Sequence, residues 1–431
     1  VVRLLGHAGS DVESGYRSSA EITADYARDP LVRTAKHLVS QGILTPDEVI
    51  DRYEKIRAEV GHTAEEAAER PRLATAADIA APLAYPDPVV RQPEQPPSEP
   101  LTLARSINRA LAELLAGDPG TLVFGEDVAV KGGVYGVTRG LRAAFGAARV
   151  FDTLLDEQTI LGTALGTALA GFLPIPEIQY LAYLHNAADQ LRGEASSLRF
   201  FSQGQYRNPM IVRIAGYAYQ RGFGGHFHND NAIAALRDIP GLVIASPSRP
   251  DDAAAMLRTC AAAARANGSV CVFLEPIALY HTRDLHEPGD DGWLCGQDVA
   301  APLGRARTHG DGRDLTLVSF ANGLRMSLRV ARRLAVDGIH CRVLDLRWLA
   351  PLPVTDLLTA AAATGRVLVV DETRASGGVS EAVLTALVDH GSDAAMARVT
   401  SKDSYVPLGG AARHVLLSEA DIEQAARVLV E

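Results

Sequence analysis

From Leu101 onward, short apolar runs alternate with longer amphipathic ones. GTLVFGED, RVFDTLL, FLPIPEIQ, PMIVRIAG, GLVIASPS and CVFLEP read as strands covered on both faces. Between them lie stretches with helical spacing, such as ADQLRGEASSLRFFSQ. Another helix is expected to open at Ser248, with Pro250 in its first turn, and to stop at Asn267-Gly268. After a looser stretch over 281–299, the runs LTLVSFA, HCRVLDLRWL and RVLVVDE repeat the pattern as three strands. Gly377-Gly378 and Ser380-Glu381 then open a helix. Strand–helix alternation of this kind predicts doubly wound parallel sheets, which present ligands at the carboxyl ends of their strands.

The first hundred residues differ. Residues 1–20 read as a strand, VVRLL, followed by a loop. Asp29-Pro30 opens a helix through VRTAKHLVSQG with Gly42 as its stop. Thr45-Pro46-Asp47-Glu48 starts a second, with Thr45 as N-cap and Glu48 at the capping-box position. The helices are too small and too polar to hold a large core. YPDPVVRQPEQPPSEP (85–100) is proline-rich with little periodicity and reads as an extended linker.

A length of 431 residues exceeds one ordinary core, so two or three domains are expected. With 47% hydrophobic and 22% charged residues the chain is globular. A formal net charge of −10 argues against nucleic acid as a partner. No apolar run is long enough to span a membrane, and no signal peptide is visible. The four cysteines (Cys260, Cys271, Cys295 and Cys341) lack metal-ligand spacing, which predicts a reduced, cytoplasmic protein. The chain lacks a starting Met and opens on strand-like residues, which suits a truncated or processed product.

Three candidate groups fall just after predicted strands. Glu157 lies in FDTLLDEQTILG, Tyr180 and Tyr183 lie in EIQYLAYLHNAADQ, and His226 and His228 lie in GFGGHFHNDN. A carboxylate, an aromatic ring and an imidazole at neighbouring strand mouths are what thiamine diphosphate asks of a protein. Glu157 could hydrogen-bond the aminopyrimidine, Tyr183 could stack on it, and His228 could move protons. Glu157 and the tyrosines have ordinary readings too, as a first-turn acid and as half-buried packing. His-x-His with Asp230 invites a zinc reading, but a metal site wants fuller ligand support and none is expected here. Gly310-Asp311-Gly312 reads as a turn before LTLVSFA, because the Asn that a magnesium motif needs is missing downstream. The small residues of GTALGTALAG (162–171) suit close packing at a subunit interface.

These runs also carry a family resemblance. GEDVAVKGGVYGVTRGL, LDEQTILG, PEIQYLAYLHNAADQ, FHNDN, IPGLVIASPSRPDDA, FLEPIALY, LDLRWLAPLP and DETRASGGVSE, in that order, resemble the β subunit of the decarboxylating component of 2-oxo acid dehydrogenase complexes. VVRLLGHAGSDVESGYRSSAEI with DPLVRTAKHLVSQGILTPDEV is similar to the C-terminal part of the α subunit. The resemblance implies an α–β fusion lacking most of its α half. It divides the chain into an α-subunit-like remnant (1–84), a linker (85–100), a transketolase-like pyrimidine-binding α/β domain (101–285) and a C-terminal transketolase-like α/β domain (300–431) used mainly for dimer contacts.

The implied activity is thiamine diphosphate-dependent oxidative decarboxylation of a 2-oxo acid, with acyl transfer to lipoamide or another acceptor. A transketolase-like or non-oxidative thiamine enzyme, or a non-catalytic assembly subunit, stays open beside it. The resemblance assigns catalysis to Glu157, His228 and His7. It assigns cofactor contacts to Glu157, Tyr183, His7 and Arg3, and the substrate pocket to His226 and Tyr180. The diphosphate and Mg2+ site is expected on an α portion outside this chain. Implied partners are that α-like fragment, a second copy in an α2β2-like assembly and a lipoyl-bearing acyltransferase. Phosphorylation-regulated relatives carry Ser after the histidine matched by His7. Ala8 stands there, which implies loss of that control. Relatives usually place a small or apolar residue where Asp156 stands, so Asp156 is expected to point away from Glu157.

Overall fold

A computed structural model describes residues 3–90, 99–220, 226–296 and 299–431. It divides into two compact units, Val1–Ile79 and Ala80–Glu431. The first unit is helical, with helices at Ser19–Tyr26, Pro30–Ser40 and Pro46–Glu69. Ser18 and Thr45 both close capping boxes, with Glu21 and Glu48 returning the hydrogen bond. Gly42 takes a positive φ of 67° just beyond the second helix. None of the side chains in these three helices is buried. Arg3–Leu5 are irregular rather than strand. Apolar composition suggested a strand over VVRLL; its first two residues lie outside the described ones, and among the described residues of this unit no strand supplies a ladder to pair with.

Among the described residues the second unit holds two sheets. One has seven strands: β1 (Thr121–Gly125), β2 (Val150–Asp152), β3 (Leu173–Ile178), β4 (Met210–Gly216), β5 (Val243–Ala245), β6 (Val270–Pro276) and a later arrival, β10 (Trp348–Ala350). Their order is β10-β5-β6-β4-β3-β1-β2. The other has five: β7 (Arg307–His309), β8 (Leu315–Ser319), β9 (Cys341–Asp345), β11 (Arg366–Arg374) and β12 (Ala395–Ser401), ordered β12-β11-β8-β9-β7. Every pairing is parallel except β10 with β5 and β7 with β9. All residues of β1, β3, β4, β6 and β8 are buried, as continuous apolar runs in a two-sided parallel sheet require.

The run HCRVLDLRWL does not form one strand. β9 ends at Asp345, Arg347 turns with φ of 59°, and β10 (Trp348–Ala350) leaves to pair antiparallel with β5 of the other sheet. A run of uniform hydrophobicity hides such a break, since both pieces are buried. ADQLRGEASSLRFFSQ also departs from a single helix. It forms a π-turn over Gln190–Ala195 and a short helix at Leu198–Phe201. The helix Pro250–Asn267 forms as expected, closed by Gly268 in the left-handed region. The 281–299 stretch lacks regular elements among its described residues, yet it is pinned. Trp293 is fully buried and Leu101 pairs with Cys295.

The central strands are tied together by charge. Arg213 of β4 is fully buried and donates to Glu275 of β6 (2.6 and 2.8 Å) and to Glu177 of β3 (2.7 Å). Tyr280 donates its hydroxyl to the same Glu275 (2.6 Å). This network sits toward the carboxyl ends of β3 and β6, where the candidate groups emerge.

Candidate active site

Glu157 is the first residue of the helix Glu157–Leu169, which follows the loop after β2. Its side chain is buried, and Oε2 accepts a hydrogen bond from Nδ2 of Asn186 at 3.1 Å. Asp156 accepts the hydroxyl proton of Thr159, so its carboxylate turns onto its own helix. Asn186 belongs to the 3-10 stretch Leu181–Ala187 that leaves β3. The same stretch carries Tyr183, whose hydroxyl lies 3.1 Å from Nε2 of His228. Tyr180, just before it, is buried and sets its ring edge-on against His228 at 4.8 Å and against Tyr183 at 5.5 Å. One turn after β3 thus links Glu157 on one side to His228 on the other.

The electrostatics agree with that proximity. Burial first, then Tyr180, Glu126 and Glu157, push the Tyr183 phenol above its ordinary range. Glu126, at the carboxyl end of β1, is raised by burial, then by Asp127 and Glu157. Behind the histidine, Tyr135 donates to Oε1 of Gln220 at 2.7 Å, and Gln220 donates to the His228 carbonyl. A cavity of about 610 Å³ opens beside them, lined by Tyr135, Gln220, His281, Asn322, Arg325 and Met326 among others.

Glu157, Tyr183, Tyr180 and His228 are brought together. The loop with Gly222, Gly224 and Gly225 and the side chain of His226 lie outside the described residues. Asp230 commits its carboxylate to the N–H groups of Asn231 (2.8 Å) and Ala232 (3.2 Å) and to Arg374 (2.9 Å). Among the described residues no group of three or more His, Cys, Asp or Glu could hold a metal ion. Gly310-Asp311-Gly312 is the turn from β7 to β8, and a Cβ on Gly312 would sit 2.3 Å from the His340 carbonyl oxygen. Gly162 and Gly166 leave an open face on their helix, with no atom within 4 Å of an added Cβ.

His7 and Arg3 belong to the first unit. There Asp11 organises the loop, accepting from the His7 N–H (2.6 Å), Tyr16 (2.9 Å) and Arg3 (3.2 Å). The His7 hydrogen bond is the main reason Asp11 stays below the ordinary carboxylate range.

Sequence reasoning missed Asn186 and Glu126. Glu126 sits at a strand mouth in GED, a signal that could have been read. Asn186 had none, because its reach to Glu157 depends on the winding of the 3-10 turn.

Among the described residues no helix is long and apolar enough to cross a membrane. Residues 99–281 match the family model described as transketolase, pyrimidine binding domain. Residues 304–423 match transketolase, C-terminal domain, and residues 1–76 match dehydrogenase E1 component. The pyruvate dehydrogenase E1 component subunit beta of Staphylococcus epidermidis is 34% identical over 339 residues, covering 77% of this chain and 99% of that protein. The proteins of the same description from Bacillus subtilis and Staphylococcus aureus are 33% identical with the same coverage. A solved structure described as a split gene transketolase, an inactive β4 tetramer, aligns with a TM-score of 0.62. It has 20% identity and covers 77% of this chain and 99% of that one, a likeness of fold. An E1-type segment at 1–76 thus runs ahead of a β-subunit-like body in one polypeptide, and the chain belongs to the thiamine diphosphate-dependent E1 component family of 2-oxo acid dehydrogenases.

Proposed function

We propose that this protein decarboxylates a 2-oxo acid with thiamine diphosphate and passes the acyl unit to an acceptor, lipoamide on an acyltransferase being the first to test. Pyruvate is the acid in the names of the relatives, so it is the first substrate to try. The observation that carries the reading is the convergence of Glu157, Tyr183 and His228 on one turn. Their chemistry fits the coenzyme. Oε1 of Glu157 has no hydrogen-bond partner among the described residues, and Nδ1 of His228 is buried without one. When bound, the coenzyme supplies the carbanion and the electron sink that loss of carbon dioxide needs.

The chain's own groups do the rest. Asn186 holds one oxygen of Glu157 and leaves the other for a ring nitrogen, where it can hold a proton. Tyr183 presents an aromatic face while its hydroxyl steadies His228. His228 moves a proton at its free nitrogen, Nδ1. Tyr180 packs the imidazole from the side and narrows the space for substrate; His226 is assigned to the substrate pocket on the family resemblance alone.

The diphosphate and Mg2+ are assigned to an α-subunit-like segment or chain, following the division of labour implied by the match over 1–76. His7 and Arg3 are proposed to serve the coenzyme through that same match. The open small-residue face of the helix Glu157–Leu169 supports pairing with further chains in an α2β2-like assembly.

The test is the Glu157→Ala variant, assayed with the assembled enzyme for coenzyme-dependent release of carbon dioxide from pyruvate. The rate is expected to fall by about 10²–10⁴-fold, the usual worth of a positioned acid–base group. Activity within about threefold of the parent, in a protein that still binds the coenzyme, overturns the assignment.

A further inference from the structure

His228 is held on a second front, from the other sheet. Two residues after it, Asp230 receives the guanidinium of Arg374 at 2.9 Å (Nη2 to Oδ1). Arg374 ends β11 in the C-terminal sheet. It is itself fixed: Nε donates to the Ser404 carbonyl at 3.0 Å, and the guanidinium lies over the Tyr405 ring at 5.6 Å. The same Oδ1 of Asp230 accepts from the N–H groups of Asn231 and Ala232, so the ion pair fixes the backbone turn as well as the side chain. Two more bonds stitch the segment to the residues around Arg374. Asn231 donates to the Glu372 carbonyl at 2.7 Å, and Arg237 donates to the Gly377 carbonyl at 2.9 Å. On its other side the imidazole has the Tyr183 hydroxyl at 3.1 Å.

We propose that Arg374 is a positioning residue for the reaction. Through Asp230 it sets where the His228 imidazole stands against Tyr183, so the C-terminal sheet takes part in proton transfer at the site. The inference rests on the reading of His228 given above. Its physical basis is that a charge-assisted bond between two half-buried groups is directional. A misplacement of about 1 Å in a proton-transfer group can cost about a hundredfold in rate. Without Arg374 the Asp230 carboxylate keeps only its backbone donors. The turn can then drift by the few tenths of an ångström that separate a 3.1 Å hydrogen bond from a broken one.

The experiment compares Arg374→Ala, Arg374→Lys, Asp230→Asn and His228→Ala in the assembled enzyme with saturating thiamine diphosphate and Mg2+. Release of carbon dioxide from pyruvate is followed across pH. Arg374→Ala is expected to lower kcat by about 10- to 100-fold, to leave KM within about twofold, and to displace the pH–kcat profile, because the imidazole loses its fixed partner. Arg374→Lys is expected to recover part of the loss, and Asp230→Asn to reproduce it. A residue that only stabilises the fold would lower the melting temperature and leave the profile in place. The proposal is overturned if Arg374→Ala and Asp230→Asn keep the parental kcat and profile while His228→Ala is inactive. If His228→Ala itself keeps full activity, the reading of the histidine fails instead. Should Arg374→Ala not fold, the lysine and asparagine variants decide: an unchanged profile in both overturns the proposal.

Discussion

Removing the guanidinium of Arg213 gives the most demanding test of how the site is held. In the folded protein it satisfies Glu177 with one bond and Glu275 with two, at 2.6–2.8 Å, and its side chain is 1% exposed. Two carboxyl groups share one guanidinium away from water. Burial lifts the pKa of Glu177, Arg213 pulls it back, and Glu275 lifts it again. In Arg213→Ala the opposing pull is gone and two acids confront each other across a cavity. Removing one partner of a buried pair typically costs about 3–5 kcal/mol, and this site is as buried as such pairs become. The pH dependence has a definite sign. A carboxyl whose folded pKa is raised binds more protons folded than unfolded, so its contribution is intact at low pH and is lost as pH rises through the folded value. The deficit of Arg213→Ala should therefore be smaller near pH 5 than at pH 8. Urea unfolding followed by circular dichroism at both values measures it. A triple variant, Arg213→Met with Glu177→Gln and Glu275→Gln, should recover most of the loss, because no charge is left stranded. A loss below about 1 kcal/mol in Arg213→Ala at pH 8 would refute the idea that this network carries weight. Because Glu177 lies just ahead of Tyr180 and Tyr183, activity should fall even where the variant stays folded.

Two further outcomes follow from other buried groups. Asp345, raised to about 7 by burial and by Asp252, should make stability decline as pH climbs from the ordinary carboxylate range through neutrality; Asp345→Asn should flatten the slope of melting temperature against pH between 5 and 8, and an unchanged slope would count against it. The thiols should be sluggish in the native protein. Cys260 is fully buried, and burial pushes Cys295 up to about 11 and Cys341 up to about 12. Labelling with a disulfide reagent at pH 8 should therefore be slow: at the buried Cys260 it waits on opening of the fold, and at the half-buried Cys295 and Cys341 the raised pKa leaves little thiolate to react. A fast labelling phase would sink the expectation.

Much of this was legible in the chain because the physics was local. Thr45 with Glu48, and Pro250 with Gly268, announce helix ends through a few neighbouring residues. Long, mainly apolar runs announced β4 and β6, because two-sided burial admits a charged side chain only where it is paired, as Arg213 and Glu275 are. The strand mouths of Glu157, Tyr183 and His228 were visible for the same reason. What stayed hidden depended on distance along the chain. Arg374 meets Asp230 across 144 residues, and no spacing rule reaches that far. The departure of β10 turns on one residue, Arg347, in a conformation a β-rich run gives no hint of. The winding of 190–195 as a π-turn is likewise set by what packs on it, since its composition suits an ordinary helix.

The excursion of Trp348–Ala350 into the neighbouring sheet has a consequence for how the polypeptide can be cut. With β10 removed, β5 becomes a bare rim whose unpaired amides invite other chains to add on. A fragment ending near residue 300 would thus be prone to cross-molecular pairing rather than to quiet independence, and a fragment starting there would carry an orphaned tryptophan strand. Surgery between the two sheets leaves both pieces frayed, so the two sheets are expected to stay intact only together.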